Sequence, residues 1–325
     1  MPTTSVIYAT MPTEIGSVAS YARLAESTSG RRLWAGQSLT IETHHLFAAL
    51  TGMGFDIGFG SAVTLMPMRH PLTAALNARS IAALSGRPFI AGIGPGAAAL
   101  QRSMLGPPYR APVTATRHYA TRMRALLDGK VADEPENPWR TGELQLPPMA
   151  DSPVQIGLGV LRQPMARLAG EMADWAITWL TPSGYVRDRL LPTVASSARQ
   201  ADRPAPRLAA VVHCVVDRRR RDVLRLAYHS AAAHLSAPHY TDMLNQAGVP
   251  VDPADPHAGA SMLVRHGVIA TGSPDEIAAA LGDYHAAGVD EVIVSVGGVH
   301  LVEGPGAALR DLAEILTAIE GRDPR

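Results

Sequence analysis

The sequence predicts an α/β fold, a (β/α)8 TIM barrel in which eight parallel strands alternate with helices. Three observations predict it: eight short apolar runs lie along the chain, most are continuously apolar like strands buried on both faces, and segments of helical periodicity separate them. A doubly wound open sheet is the alternative that this alternation allows. The predicted strands are residues 5–10, 32–37, 56–63, 88–94, 154–160, 175–180, 207–216 and 291–298.

Amphipathic helices are predicted between the strands, where apolar residues recur three or four positions apart. The clearest helix start is Ser273, because Pro274 and two acidic residues follow a side chain suited to an N-cap. Gly288 is the expected C-cap of the same helix. The predicted helices include residues 17–27, 71–84, 113–127, 163–173, 273–288 and 307–320.

We predict one domain over residues 1–325, because a single barrel commonly has this length. Two segments interrupt the alternation: a polar, proline-rich surface excursion at 130–152, and an insertion of short helices and turns at 236–272. In a barrel such segments lie at the mouth, the end where the carboxyl termini of the strands meet. We therefore expect both segments to shape substrate access.

Composition excludes several functional classes. With 29 basic and 29 acidic residues and 46% apolar residues, the chain has no charge excess that would attract a nucleic acid or an anionic membrane. No run approaches the roughly 18 apolar residues of a membrane span, and the N-terminus lacks a signal-peptide pattern. We expect a cytoplasmic protein.

Two single residues exclude further chemistry. Cys214 is the sole cysteine, which excludes an internal disulfide and cysteine-based metal sites, and its apolar surroundings in sequence predict a core position. Lys130 is the sole lysine and lies in a polar stretch where nothing would lower its pKa, so Schiff-base chemistry is disfavoured. No metal site is predicted.

Small residues end three consecutive predicted strands. At the carboxyl ends of parallel strands they leave room for a flat ring to lie against the backbone. The alternatives are ordinary layer packing inside the barrel and, at 94–96, a turn without a ligand. The residues are Gly60, Ser61, Ala62 and Val63, then Gly94, Pro95 and Gly96, then Gly157 and Gly159.

A series of sequence blocks, in order over nearly the whole chain, carries a family resemblance. The blocks include LWAGQSL, GFGSAVTLMPMRHP, GRPFIAGIGPG, LGPPYRAP, RLAGEMADWAITW and ATGSPDEIAAALGDYHAAGVDEVIV. The chain resembles the bacterial luciferase-like superfamily, whose members are single-domain α/β barrels. They use either reduced FMN for oxygen insertion or the deazaflavin coenzyme F420 for hydride transfer. The blocks GSAVTLMPMRHP and IAGIGPG are most similar to the F420-dependent oxidoreductase branch.

The resemblance implies where the cofactor lies. In deazaflavin-using relatives a non-prolyl cis peptide in a bulge of the third strand supports the ring, and by position that bond falls at Ala62–Val63. F420 is the predicted cofactor and FMN the alternative, with the phosphate on amides at helix starts. The predicted cofactor-binding residues are Gln37, Ser38, Gly60, Ser61, Ala62, Val63, Gly94, Pro95, Gly96, Gly157, Gly159 and Thr178.

The chain also departs from its relatives. Many have an acidic residue followed by histidine where Gln37 and Ser38 stand here. The similar sugar-phosphate dehydrogenases carry a glutamate just after their counterpart of Gly94–Gly96, where this chain has Ala97 and Ala98. Without that histidine and that glutamate, oxidation of a sugar alcohol is disfavoured.

Glu42 and Tyr109 are the predicted proton donors. Glu42 follows the second strand at the mouth, and its carboxylic acid would donate a proton if burial raised its pKa. The alternatives are a first-turn helix charge at Glu42 and a turn-packing role for Tyr109. The predicted substrate contacts are Tyr8, Thr10, His44, Trp179 and His300.

Other polar residues are interpreted as structural. His213 is expected to satisfy a hydrogen bond inside its strand, and Arg69-His70-Pro71 to fix a loop and the next helix start. The four arginines of 218–221 are interpreted as a solvated helix face.

The predicted function is that of an F420H2-dependent oxidoreductase that transfers a hydride to an activated C=C or C=N acceptor, a small molecule or a peptide such as one containing dehydroamino acids. The alternatives are an FMN-dependent luciferase-like monooxygenase and a non-catalytic deazaflavin-binding protein. The resemblance also implies a homodimer.

Overall fold

A computed structural model describes residues 2–131, 137–149 and 153–322. In this part of the chain ten strands form one sheet in which every pairing is parallel. The strands are β1 (Thr3–Tyr8), β2 (Arg32–Ala35), β3 (Gly58–Ser61), β4 (Thr64–Leu65), β5 (Phe89–Gly94), β6 (Val154–Gly159), β7 (Trp175–Trp179), β8 (Arg207–Val216), β9 (Ile269–Gly272) and β10 (Glu291–Ser295).

The sheet closes into a barrel, which confirms the (β/α)8 prediction and excludes the open sheet. Its strands follow the order β10-β1-β2-β3-β5-β6-β7-β8, and β8 pairs with β10 to complete the circle. All eight predicted strands are present: the strand at 207–216 has the predicted ends, and the other seven are shifted at one or both ends. The last strand ends at Ser295, so the glycines at 297 and 298 begin a helix instead of ending a strand.

Two strands were not predicted. β4 continues the third barrel strand after a bulge at Ala62 and Val63, and pairs with β5. The peptide bond between Ala62 and Val63 is cis, as the resemblance implied. β9 pairs only with the far end of β8 and lies outside the closed circle.

Helices follow the strands and cover the barrel. The helix after β9 begins with a capping box formed by Ser273 and Glu276, and Gly288 follows it with a φ of 96°, as the sequence predicted. The helices are α1 (Ile15–Ala25), α2 (Thr43–Gly52), α3 (Pro71–Ser85), α4 (Ala98–Leu105), α5 (Pro112–Leu127), α6 (Gln163–Met172), α7 (Ser183–Tyr185), α8 (Leu191–Gln200), α9 (Val223–Leu235), α10 (Pro238–Gln246), α11 (Pro256–Arg265), α12 (Pro274–Ala286), α13 (Gly297–Glu303) and α14 (Pro305–Arg322).

The barrel is filled at the end opposite the mouth. Trp34 donates its indole N–H to Glu291 at 2.8 Å and to Ser5 at 3.0 Å, and Arg32 forms an ion pair with the same buried carboxylate. Trp175 packs edge-on against Trp34, with ring centroids 6.4 Å apart. These side chains close this end of the barrel.

The arginine run before α9 is partly buried, which corrects its interpretation as a solvated face. Arg221 pairs with Asp311 of α14 at 2.5 Å, and Arg218 contacts the same carboxylate at 2.7 Å. Asp311 is fully buried and the Arg221 side chain is 5% exposed. The run therefore fixes the last helix to the barrel.

The insertion predicted at 236–272 contains α10, α11 and β9, and it leads from α9 back to the barrel. Within the excursion at 130–152, residues 132–136 and 150–152 lie outside the described residues, and the rest is irregular. No helix in the described ranges combines the length and apolarity needed to cross a membrane.

Candidate active site

Two kinds of side chain divide the innermost layer of the mouth. The inward-facing positions of β2, the β3 bulge, β5 and β6 are small, and we call Gly36, Ala62, Gly94 and Gly159 the small-residue side. Those of β7, β8 and β10 carry aromatic or polar groups, and we call Trp179, His213 and Ser295 the polar side. The two sides face each other across the barrel.

The small-residue side leaves room above the backbone. A Cβ added to Gly36 would have only the Ala62 carbonyl oxygen within 4 Å, at 3.6 Å. One added to Gly159 would meet Val63 at 3.5 Å, and one added to Gly94 would meet the same side chain at 2.9 Å. The Val63 side chain thus lies between these two glycines. It fits there because neither glycine has a side chain.

Two predicted glycines lie deeper and serve packing. A Cβ on Gly60 would meet the Trp34 ring at 2.5 Å, and one on Gly157 would meet Ile177 at 2.7 Å. Larger side chains from neighbouring strands use the space over these glycines, as layer packing in a barrel requires. A direct contact between either glycine and a cofactor stays a prediction.

Hydrogen bonds from polar neighbours hold the bulge. The hydroxyls of Ser61 and Thr64 donate to the Gly92 carbonyl at 2.9 and 3.1 Å. The backbone N–H of Gln37 donates to the Val63 carbonyl at 3.1 Å, and its side-chain amide N–H donates to the Ser38 carbonyl at 2.8 Å. These residues brace the edge of the small-residue side.

The loop after β5 is organised by Gln101, which the sequence analysis missed. Its amide nitrogen donates to the carbonyls of Pro95 and Gly96 at 3.1 and 2.8 Å, and its oxygen accepts the backbone N–H of Tyr109 at 3.0 Å. Tyr109 packs edge-on against Trp139, and burial raises the pKa of its hydroxyl. Tyr109 is therefore protonated at neutral pH.

Glu42 does not meet the condition set for a proton donor. It is the N-cap of α2 and accepts the backbone N–H groups of His44 and His45, the His44 ring at 3.0 Å and Arg69 at 2.9 Å. Burial alone would raise its pKa, but these hydrogen bonds and nearby charges outweigh it and lower the pKa to about 2. Glu42 is an ionised capping carboxylate, and His44 packs beside Phe89.

The remaining predicted substrate residues are dispersed. Tyr8 alternates with the inward-facing Ile7, lies on the outer face of β1 and contacts Ser17 at 3.1 Å. His300 lies on α13, where its ring contacts the Tyr21 hydroxyl at 3.0 Å. Thr10 follows β1 with a buried hydroxyl that has no hydrogen-bond partner.

The polar side contains a cluster that sequence reasoning recognised only in part. The His213 ring contacts the Ser295 hydroxyl at 3.1 Å through Nδ1, and its Nε2 is buried without a partner. Trp179 packs edge-on against His213, with centroids 5.2 Å apart, and stacks on His234 of α9 at 5.4 Å. Its indole nitrogen and the His234 Nδ1 also lack partners.

Both histidines of this cluster are neutral. Burial, followed by the influence of His234, lowers the pKa of His213 to about 3, and burial followed by His239 lowers that of His234 to about 4. The neighbouring cation Arg162 pairs with Asp242 at 2.7 Å. Thr178, a predicted cofactor contact, alternates with the inward-facing Ile177 and Trp179, and its buried hydroxyl has no partner.

Open space near Gly36 and unpartnered ring nitrogens are the features of the mouth that a ligand could use. In the ranges that the structure describes, no three His, Cys, Asp or Glu side chains are grouped to hold a metal ion. The space over Gly36 has room for a planar ring beside the Ala62–Val63 bulge, and the unpartnered ring nitrogens of Trp179 and His213 lie on the opposite side, where a second ligand would find hydrogen-bonding groups.

Comparison with known proteins agrees with this geometry. The computed structure superposes on the coenzyme F420-dependent tetrahydromethanopterin reductase of Methanopyrus kandleri with a TM-score of 0.72 at 18% identity, covering 97% of this chain and 99% of that one. An F420-dependent secondary alcohol dehydrogenase, bound to an F420–acetone adduct, gives 0.68 at 16% identity over 97% and 99%.

An FMN enzyme is equally similar in fold. The oxygenating component of 3,6-diketocamphane monooxygenase from a Pseudomonas putida plasmid, in complex with FMN, gives a TM-score of 0.72 at 17% identity over 100% and 99% of the two chains. These similarities establish the shared barrel. The sequence model of the luciferase-like monooxygenase family matches residues 2–291, and the chain therefore belongs to that family.

Proposed function

We propose that the protein is an F420-dependent oxidoreductase that reduces an activated C=C or C=N bond in a small-molecule or peptide acceptor. The observation that carries this proposal is the two-sided mouth, with open space over the backbone at Gly36 on one side and unpartnered ring nitrogens on the other. A planar cofactor fits the first side and a polar acceptor fits the second. The sequence blocks similar to the deazaflavin branch favour F420 over FMN.

The chain offers matching groups for each part of the cofactor. Gly36, the Ala62–Val63 bulge and Gly159 would hold the ring against backbone. The N-termini of α4 and α6 would hold the phosphate, since neither has a side-chain cap on its free amides. When bound, reduced deazaflavin supplies a hydride.

The ionisation of the mouth favours reduction over alcohol oxidation. Oxidation of an alcohol needs a base beside the hydroxyl, whereas Gln37 and Ser38 occupy the place of the acidic–histidine pair and neither is basic. Glu42, ionised but paired with Arg69, is engaged in capping α2. We propose that Tyr109 or solvent supplies the proton, because the raised pKa of Tyr109 keeps its hydroxyl protonated.

Binding measurements test the cofactor assignment. Purified protein is titrated separately with reduced F420 and reduced FMN under anaerobic conditions, following the quenching of the protein's tryptophan fluorescence. We expect F420 to bind in the micromolar range and FMN at least tenfold more weakly, which is about 1.4 kcal/mol. An FMN preference would overturn the F420 proposal.

A variant at the small-residue side tests where the ring lies. Gly36→Val places methyl groups in the open space while its Cβ meets only one atom at 3.6 Å, so the fold is expected to persist. We expect F420 affinity to fall about tenfold or more. Gly282→Val on α12, where a Cβ would meet nothing within 4 Å, is the matched control. Equal affinity in both variants would place the ring elsewhere.

FMN-dependent oxygenation is the second candidate, favoured by the similarity to the diketocamphane oxygenase. Oxygenation predicts that the protein consumes oxygen when reduced FMN and a substrate are present. The F420 proposal predicts that the acceptor is reduced in the absence of oxygen. The third candidate is a non-catalytic deazaflavin-binding protein. Tight binding of reduced F420, with no oxidation of that cofactor by any acceptor, would indicate it.

A further inference from the structure

We propose that Trp179 and His213 form a binding subsite for the uncharged carbonyl oxygen of the acceptor. The assignment of this ligand as a hydride acceptor rests on the proposed function, but its binding to the protein does not. Both side chains face inward at the mouth, from the neighbouring strands β7 and β8. They lie opposite the small-residue side.

The chemistry of the two nitrogens selects an oxygen ligand. An indole N–H can only donate a hydrogen bond, and in Trp179 it has no acceptor. The Ser295 oxygen accepts the Gly297 N–H at 3.4 Å, and we assign its hydroxyl proton to the contact with Nδ1 of His213 at 3.1 Å. In that tautomer Nε2 of His213 carries a proton, so the subsite presents two donors.

Leaving such donors unpaired is unfavourable, which indicates a missing partner. A buried donor without a hydrogen bond lowers the stability of the protein by about the free energy of its desolvation. Most buried polar groups in folded proteins therefore have partners. Here two unpartnered donors lie on one aromatic cluster beside the mouth. A carbonyl oxygen of a bound acceptor would satisfy both.

The same surroundings disfavour an anionic ligand. His213 and His234 bear no charge at neutral pH, and Arg162 is engaged with Asp242. A carboxylate or phosphate placed on the cluster would lose hydration without gaining a counter-ion. The subsite therefore selects a neutral ketone, ester or amide.

The His234 ring covers the subsite in the present structure. It stacks on Trp179 and packs edge-on against Tyr240 of α10, with centroids 4.7 Å apart. The indole nitrogen and Nε2 of His213 are inaccessible to water in this arrangement. Ligand entry to the subsite therefore requires the packing around these two nitrogens to open.

The indole N–H resonance of Trp179 reports directly on this contact. The chain has 4 tryptophans, and Trp179→Phe assigns the signal by its disappearance from a proton–nitrogen correlation spectrum. The probes are methyl 2-acetamidoacrylate, a neutral activated alkene, and 2-acetamidoacrylate, its anionic counterpart, added to cofactor-free protein. We expect the Trp179 signal to move saturably with the ester.

Three comparisons sharpen the result. The carboxylate is expected to bind at least tenfold more weakly than the ester, and Trp179→Phe and His213→Asn to weaken ester binding about tenfold each. Trp139→Phe, which alters the ring beside Tyr109, is the matched control and is expected to leave affinity unchanged. An unmoved Trp179 signal at saturating ester, or equal binding of the two probes, overturns the subsite.

Failure of the subsite is distinguishable from failure of the proposed function. If F420 does not bind but the Trp179 signal moves, the function is wrong and the subsite stands. If the protein with reduced F420 reduces the C=C bond of the ester while Trp179→Phe and His213→Asn leave the KM for the ester unchanged, the function stands and the subsite is wrong. Thermal unfolding of each variant confirms that it is folded.

Discussion

Glu42 illustrates how one side chain can satisfy a sequence pattern and still have a different role. Its place after the second strand suggested an acid at the mouth, yet four hydrogen bonds from His44, His45 and Arg69 commit its oxygens to helix capping. Burial alone would have raised its pKa. The hydrogen-bond donors around a carboxylate decide whether its pKa is raised or lowered. No local sequence pattern displays these donors.

Replacing this carboxylate tests the capping role. Glu42→Gln is expected to lower the free energy of unfolding by about 1–2 kcal/mol at neutral pH, because a cap and an ion pair are weakened. The folded-state pKa of about 2 lies below the ordinary 4.5. The stabilisation is therefore complete above about pH 5 and is lost as the pH falls towards 2.

Urea denaturation of both proteins between neutral and acid pH checks this expectation. The difference between wild type and Glu42→Gln should shrink on acidification. Glu320→Gln, at an exposed position of α14, serves as control. A difference that grows as the pH falls would contradict an ionised Glu42 in the folded state.

His213 marks the limit of sequence reasoning at this scale. It lies in a continuous apolar run, LAAVVHCVV, where a histidine is expected to be a satisfied core residue. One nitrogen does have a partner, but the other faces the aromatic cluster without one. Strand parity and the pairing of His213 with Ser295 are needed to recognise it, and both depend on β8 and β10 being neighbours.

Secondary-structure elements are joined by buried charge as well as by apolar packing. The ion pairs of Arg218 and Arg221 with Asp311 link the segment before α9 to α14. Asp311→Asn is expected to lower the free energy of unfolding by about 3 kcal/mol, since two arginines lose a buried partner. Glu314→Gln removes a 45% exposed partner of Arg218 and should cost less than about 1 kcal/mol.

Denaturant midpoints of the two variants give the comparison. Equal effects of Asp311→Asn and Glu314→Gln would mean that the buried network does not hold the last helix. The arginine run could not reveal this network in the sequence, because its partner lies about 90 residues away at Asp311.

The elements themselves were largely predictable. Eight strands and the main helices follow from periodicity, because each is long enough to display it. β4 has two residues, which is too few for a pattern, and β9 lay inside the segment predicted as an insertion of short helices and turns. The bulge at Ala62–Val63 came from the family resemblance, since periodicity carries no information about a peptide bond.

At the scale of the whole molecule, we expect a homodimer, as the resemblance implies. Large apolar side chains are exposed on and next to α2 and α3: Met53 at 52%, Leu76 at 36% and Leu84 at 60%. Leu84→Asp is expected to raise the dimer dissociation constant about tenfold or more. Leu224→Asp on α9, where the leucine is 49% exposed, is the matched control.

Sedimentation velocity over a range of concentrations measures both variants. A wild-type monomer at all concentrations, or equal weakening by Leu84→Asp and Leu224→Asp, would contradict a dimer through α2 and α3. Oligomeric state escapes sequence reasoning because exposed leucines are ordinary on monomers too.

The filled floor of the barrel has a kinetic consequence. The far end of the barrel is blocked by Trp34, Arg32, Glu291 and Trp175. The cofactor and the acceptor of the proposed reaction would therefore both enter and leave through the mouth. Under the proposed function the acceptor has to contact the cofactor ring in this one opening, because the hydride passes directly between them. If the bound acceptor obstructs the cofactor's exit, we expect ordered steady-state kinetics: the cofactor binds before the acceptor, and the reduced product leaves before the oxidised cofactor is exchanged.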